Sequence, residues 1–339
     1  MSCQALPPES WQRGMHFLGT RHAIMGGAMS WLSERNLVAA ISEAGGFGVL
    51  ATGSMPVPLA RAEIQAVREK TNKPFGVNLI TLNPELPQFV EMVIEEQVSH
   101  CVLAGGIPQR ETIDALKSAG LKVILFAPSL ALAKRLIQRG ADALIIEGHE
   151  AGGHVGPVST SVLVQEILPH IKEVPVFVAG GIANGEMTAG MAALGAAGVQ
   201  VGTRFVCARE CVAHDHFKQQ FIRAQSRDAV VTVQFDAALP VIPVRALVNK
   251  GTEQFNRLQL ELIREVREGR KARADAQLEL ERFWAGALKR AAIDGDVEYG
   301  SVMAGQSVGM VRCIQSAAEI INELVSCLYG QTNSTTQPS

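Results

Sequence analysis

From Ala23 to about Ala213, short and wholly apolar runs recur at nearly even spacing. Between them lie longer stretches in which apolar positions return every three or four residues. The first pattern is that of a strand buried on both faces, and the second that of a helix lying on a sheet. Strands are predicted at 23–29, 47–51, 75–80, 101–104, 122–127, 143–147, 176–179 and 199–202, which makes eight. Helices fall between them, for example 34–44 before Gly45-Gly46 and 130–139 before Gly140, glycine being the residue that closes a helix in the left-handed conformation. Eight strands alternating with helices predict an α/β fold of the TIM (β/α)8 barrel type, with an open doubly wound sheet as the alternative.

The rhythm then changes. We expect the barrel over residues 15–213 and a mostly helical insertion over 214–300, charged along 258–282, serving either as a solvated appendage or as a lid over the barrel mouth. Residues 301–330 are expected to return to the barrel through an apolar-striped helix at 307–328. The polar tail 331–339 and the lead-in 1–14, with Pro7-Pro8, are expected to be disordered or poorly ordered.

Composition narrows the partners. A chain of 339 residues, 47% hydrophobic and only 5% aromatic with 32 glycines, suits a parallel α/β protein, and a net charge of -2 without a basic patch disfavours nucleic acid or a membrane surface. The N-terminus shows no apolar segment behind basic residues, and no run of eighteen apolar residues occurs, so a soluble cytoplasmic protein is expected. The six cysteines form no CxxC pair; Cys207 and Cys211 would share a helix face, but two thiols make a poor zinc site. Reduced structural thiols and no metal are expected.

In such barrels chemistry sits at the C-terminal ends of the strands. The stretch Gly148-His149-Glu150-Ala151-Gly152-Gly153-His154-Val155-Gly156 follows the apolar run 143–147, which ends in Glu147. Glycines let backbone approach a flat or anionic ligand, and a histidine can move a proton near neutral pH. Gly180-Gly181 after the seventh strand and Gly202-Thr203 after the eighth have the chemistry of a phosphate site built from backbone amides; tight turns alone would use the same glycines. No lysine or arginine occurs in these two segments before Arg204, which suits a resident cofactor better than a released phosphorylated substrate. Neither a GxGxxG after the first strand nor a Walker lysine is present. His149 is expected at the surface or behind the reacting groups, and a metal site with Glu150 is not expected; Met25 and Met29 are expected as apolar lining.

Several spaced motifs together carry a resemblance. Residues 147–156, with Pro74-Phe75-Gly76-Val77-Asn78, Ala179-Gly180-Gly181-Ile182 and Gln200-Val201-Gly202-Thr203-Arg204-Phe205, resemble the nitronate monooxygenase (2-nitropropane dioxygenase) superfamily of FMN-dependent TIM barrels. Segments 203–214, 227–232 and 294–306 are closer in look to its FMN-dependent enoyl-acyl-carrier-protein reductase branch. The resemblance implies FMN contacts at Asn78, Glu147, Gly152, Gly180, Gly181, Gln200, Val201, Gly202 and Thr203, with Met25 and Gly26 near the flavin ring, and His154 as the catalytic histidine. One departure is Asn184-Gly185-Glu186, where relatives often carry Asp-Gly-Arg or Asp-Gly-Gly.

What the resemblance implies is an FMN oxidoreductase taking electrons from NADH or NADPH and reducing a trans-2-enoyl thioester, with His154 protonating the α-carbon or orienting the carbonyl. The substrate would be a small molecule or an acyl group on its carrier protein. Nitronate oxidation with O2 and quinone reduction are the alternatives within the superfamily, and a flavin-binding regulatory barrel without turnover is the non-enzyme alternative. A homodimer is the expected assembly.

Overall fold

A computed structural model describes residues 6–239 and 243–329, with the side chains of residues 281 and 285 also outside the description. The expected tail at 331–339 and the first five residues of the lead-in lie outside the described residues. The strands are β1 (Ile24–Gly26), β2 (Gly48–Ala51), β3 (Phe75–Ile80), β4 (His100–Ala104), β5 (Lys122–Phe126), β6 (Ala143–Glu147), β7 (Gly153–His154), β8 (Val176–Ala179), β9 (Gly198–Val201), β10 (Ala229–Val231), β11 (Val244–Leu247) and β12 (Val302–Met303). Eight of them form a parallel sheet in the order β1-β9-β8-β6-β5-β4-β3-β2. A parallel bridge between Met25 and Phe47 closes it, with Gly26 N–H on Phe47 O at 2.9 Å and Phe47 N–H on Ile24 O at 2.8 Å. The chain is a TIM barrel, and the eight barrel strands expected from the apolar runs are all present.

Closure is tight where β1 and β2 meet, because the helix Arg35–Glu43 presses directly on them. A Cβ at Gly26 would lie 2.7 Å from Ile41 Cδ1, and one at Gly48 would lie 2.3 Å from Val38 O. These glycines therefore face the helical layer. Alternation along each strand then turns Met25, Val49 and Ala51 into the barrel.

The N-terminal end of the barrel is plugged. Residues 9–14 do not form the expected loose lead-in but begin the helix Glu9–Leu18, whose Trp11, Gly14 and Leu18 are buried. Pro8 at the cap, Glu9 in the first turn and Gly19 at φ 70° define its ends. The helix delivers Phe17, whose ring packs edge-on against His100 at 5.2 Å and whose carbonyl accepts from His100 Nε2 (2.9 Å) and Lys122 Nζ (2.6 Å). The proline pair obscured a helix that only its packing makes stable.

In the segment after the barrel, expected to be mostly helical, short strands stand among the helices. The helix Asp215–Arg223 packs Phe217 and Phe221 into the main core, and then β10, β11 and β12 form an antiparallel sheet, joined at β11 by β7 from the barrel loop. The charged run 258–282 is two helices, Lys250–Arg267 and Arg273–Ala292, separated by a turn with Gly269 at φ 70°. One face of the small sheet (Ala229, Leu247, Val302) belongs to the barrel core; on the other, Val244 and Met303 join a separate cluster with Phe255, Leu262, Leu280 and Trp284. The strands escaped the sequence pattern because they are two to four residues long, too short for a period to register. The return segment is a 3₁₀ turn at Gln306–Met310 followed by the helix Ala317–Val325, shorter than the expected 307–328.

Candidate active site

At the C-terminal end of the barrel, register aligns Glu147 with Ala179, Ala179 with Gln200, and Gln200 with Met25. Residues paired in a parallel sheet share a face, so these four form one inward row across β6, β8, β9 and β1. Ala179 is small and leaves space between the two polar side chains. Met25 is fully buried. Neither the Glu147 carboxylate nor the Gln200 amide has a protein partner among the described residues. With no counter-charge to offset it, burial pushes the Glu147 carboxyl up to about 7. Elsewhere on the wall, Asn78 is buried and donates through Nδ2 to Val102 O at 3.1 Å, leaving its Oδ1 without a donor.

Beside this row, four loops meet through bare backbone. A Cβ at Gly180 (φ 94°) would come 2.9 Å from Gly148 O, and one at Gly152 would come 2.5 Å from Gly305 N. Gly181 (φ 74°) stands against Glu150 Cβ at 3.3 Å, while the Thr203 hydroxyl accepts from Gly305 N–H at 3.1 Å. The amides of Gly181, Gly202 and Thr203 donate to no acceptor among the described residues. Unpartnered amides in a cradle that side chains would fill fit a bound phosphate, and the inward polar row beside it fits the edge of a flavin ring. The residues present therefore fit FMN.

Most of the expected positions are gathered here, with adjustments. Gly26 faces Ile41 on the outside of β1, so its part is to admit the helix; Gly27, which a Cβ would bring within 3.5 Å of Gly202 Cα, is the glycine that borders the cradle. Val201 is core, its carbonyl accepting from Gly27 N–H at 2.9 Å. Ala304 and Gly305 enter the site though sequence reasoning kept them outside it; the Ala-Gly-Gln string was legible, but nothing local said that it folds back onto Gly152. The departure Asn184 caps the helix Gly185–Ala193 through Met187 N–H at 3.0 Å, so asparagine serves the turn.

The glycine-histidine loop is tied down on several sides. Glu150 accepts from Thr160 N–H and Oγ1, both at 2.9 Å, and its carbonyl accepts from Gln306 N–H at 2.9 Å. His149 braces the loop across its base, Nδ1 lying 2.7 Å from the Gly156 carbonyl, which makes it a structural residue. His154 lies on β7 opposite Val244 of β11. Its side chain is exposed and makes no hydrogen bond among the described residues. It shares the sheet face that carries Val244, Ala246 and Met303 toward the two long helices. Those helices also reach the loop after β1, Lys289 Nζ standing 5.2 Å over the Trp31 ring. Away from the site, burial pushes the Cys207 and Cys211 thiols up to about 12 and about 11, as structural thiols require.

Comparison with known proteins agrees with this geometry. The chain is 31% identical over 331 residues to the (3aS,4S,5R,7aS)-5-hydroxy-7a-methyl-1-oxo-octahydro-1H-indene-4-carboxyl-CoA dehydrogenase of Mycobacterium tuberculosis, a match covering 91% of this chain and 93% of that one. Its structure is similar to that of FabK from Thermotoga maritima, with a TM-score of 0.83, 38% identity and coverage of 93% of this chain and 95% of that one. It is also similar to nitroalkane oxidase from Streptomyces ansochromogenes, with a TM-score of 0.76, 25% identity and coverage of 91% and 96%. The nitronate monooxygenase family model matches residues 12–326. With the barrel, the polar row and the amide cradle in place, the chain belongs to the nitronate monooxygenase family and is an oxidoreductase of that generally flavin-dependent family.

Proposed function

We propose that the chain binds FMN and, with NADH or NADPH as electron donor, reduces a trans-2-enoyl thioester. FMN would be held by the cradle of Gly152, Gly180, Gly181, Gly202 and Thr203, with Met25, Asn78, Glu147 and Gln200 along its ring and Gly26 and Val201 shaping the wall behind. Bound there, it supplies the two-electron redox chemistry that no side chain of the protein can. The chain's own residues do the rest. The free amides offset phosphate charge, and the Glu147 carboxyl, part protonated near neutral pH, can both donate and accept a hydrogen bond. The exposed His154 imidazole gives a proton to the α-carbon or holds the thioester carbonyl. The two long helices act as a lid that excludes water from the acyl group.

The observation that supports this reading best is the small sheet over residues 229–303, which takes a strand from the His154 loop itself. The likeness to FabK, the FabK class being enoyl-acyl-carrier-protein reductases, spans 93% of the chain. The name of the mycobacterial relative is likewise that of an enzyme of a CoA thioester. The test is anaerobic mixing of purified holoprotein with NADH or NADPH, followed by crotonyl thioester. Flavin bleaching by nicotinamide, reversed by the thioester, supports the proposal and names the donor. Flavin that ignores nicotinamide but bleaches with an alkyl nitronate moves the protein to the second reading, nitronate oxidation, which the nitroalkane oxidase likeness favours and in which His154 binds the anion or takes the α-proton.

A further inference from the structure

Arg245 is buried to 3% exposure inside the small sheet, yet no carboxylate lies within ion-pair distance of it among the described residues. Its partners are carbonyls: Nε and Nη2 donate to His149 O at 3.2 and 2.9 Å, and Nη1 donates to Ala229 O at 2.6 Å. Burial lowers its pKa, with the Glu150 charge opposing the shift, and a guanidinium keeps its proton in proteins, so a full charge stays inside the protein. Burying a guanidinium carries a desolvation cost that an apolar side chain of similar size would not incur. What the guanidinium adds is direction, because its planar fork can grip the carbonyl of the loop and that of β10 at once.

The grip has a counterpart on the opposite side of the loop. Glu150 is fastened to the barrel through Thr160, whose hydroxyl also reaches Gly180 O at 3.0 Å. Arg245 fastens the preceding residue to the sheet beneath the long helices, and His149 O has no other donor among the described residues. The same strand that carries Arg245 pairs with the loop, Arg245 opposite Gly153 and Val244 opposite His154. His154 is therefore held through its loop, by a short ladder on one side, the His149 brace to Gly156 and the Arg245 grip on His149 O, with nothing among the described residues bonded to its own ring.

We propose that Arg245 is a positioning residue that sets where His154 stands over the barrel mouth. The proposal rests on the catalytic reading of His154, and the experiment separates the two. Arg245→Met, Arg245→Lys, His154→Ala and the Arg245→Met/His154→Ala double variant are compared as FMN-loaded full-length proteins. Steady-state turnover of crotonyl thioester is followed together with hydrogen exchange of the 148–156 amides. Arg245→Met is expected to lower kcat on the order of 10- to 100-fold with KM and FMN content kept, to speed exchange in that loop alone, and to add nothing to His154→Ala. Arg245→Lys, which keeps the charge but places its donors on one nitrogen without the fork, is expected to recover part of kcat; if Arg245→Met does not fold, slowed turnover and faster loop exchange in Arg245→Lys carry the same weight. Wild-type turnover or unchanged loop exchange in the folded variants overturns the proposal. Full turnover in His154→Ala would overturn the catalytic reading instead, while loop exchange would still report whether Arg245 holds the loop.

Discussion

The two ends of the barrel solve the same problem in opposite ways. Both present polar side chains to the interior, where water is scarce and an unmet hydrogen bond is costly. At the N-terminal end, His100 lies between Ser99 Oγ and Phe17 O, each 2.9 Å away, and Lys122 donates to the same carbonyl. At the C-terminal end, Glu147, Gln200 and the Asn78 Oδ1 are left with no partner among the described residues. A closed end built for stability satisfies its polar groups internally, and an open end leaves them for a ligand.

The contrast breaks most visibly at His154. His154→Ala should leave FMN bound but cut turnover by on the order of 100-fold or more, checked by steady-state kinetics beside the flavin absorbance. Undiminished turnover would remove the imidazole from the chemistry. At the closed end the effects should reverse: His100→Ala should cost about 2–4 kcal/mol in urea unfolding, through lost packing and stranded donors, with kcat nearly unchanged. Loss of activity without loss of stability there would contradict the division of labour.

The two ends should also respond to acid with opposite signs. Burial holds His100 neutral with a pKa lowered to about 4 from 6.5, so its contribution is full above pH 6.5 and is lost as pH falls through about 4. Glu147 is raised from 4.5 to about 7, so its contribution is full below pH 4.5 and is lost as pH rises through about 7. Each amounts to roughly 3 kcal/mol at most. In the FMN-free protein, Glu147→Gln should therefore flatten the stability change between pH 5 and 8, and His100→Asn should flatten the acid limb, both followed by thermal unfolding. Identical pH profiles for wild type and Glu147→Gln would mean that the carboxyl is not desolvated. The smallest effect is expected at Gly181→Ala, where a φ of 74° and a neighbour at 3.3 Å should cost about 1 kcal/mol and weaken FMN binding a few-fold by fluorescence titration.

Most of the barrel was legible because its strands are buried on both faces and so are written as largely apolar runs, such as 143–146 before Glu147, broken by few polar letters such as Asn78 and Gln200. The rim glycines were legible for a related reason: Gly180 and Gly181 adopt a backbone that other residues rarely can, so the turn dictates the letter. The resemblance of those spaced motifs to the nitronate monooxygenase superfamily agreed with the later comparisons. The plugging helix was obscured by Pro7-Pro8, and the strands at Ala229–Val231 and Val244–Leu247 left too few residues for alternation to show.

What the chain determines by itself is thus what local burial and backbone conformation demand: the eight strands, the helices between them, and the glycine-rich ends that mark the mouth. Only the tertiary structure decided which polar residues were left unpartnered, that Gly305 folds onto Gly152, and that His154 is held by a sheet whose other strands lie about ninety residues or more away in part of their register, as Val244 and Met303 do. Such pairings are long-range contacts between short segments. Their stability comes from the surfaces they join, so no stretch of sequence carries their signature alone.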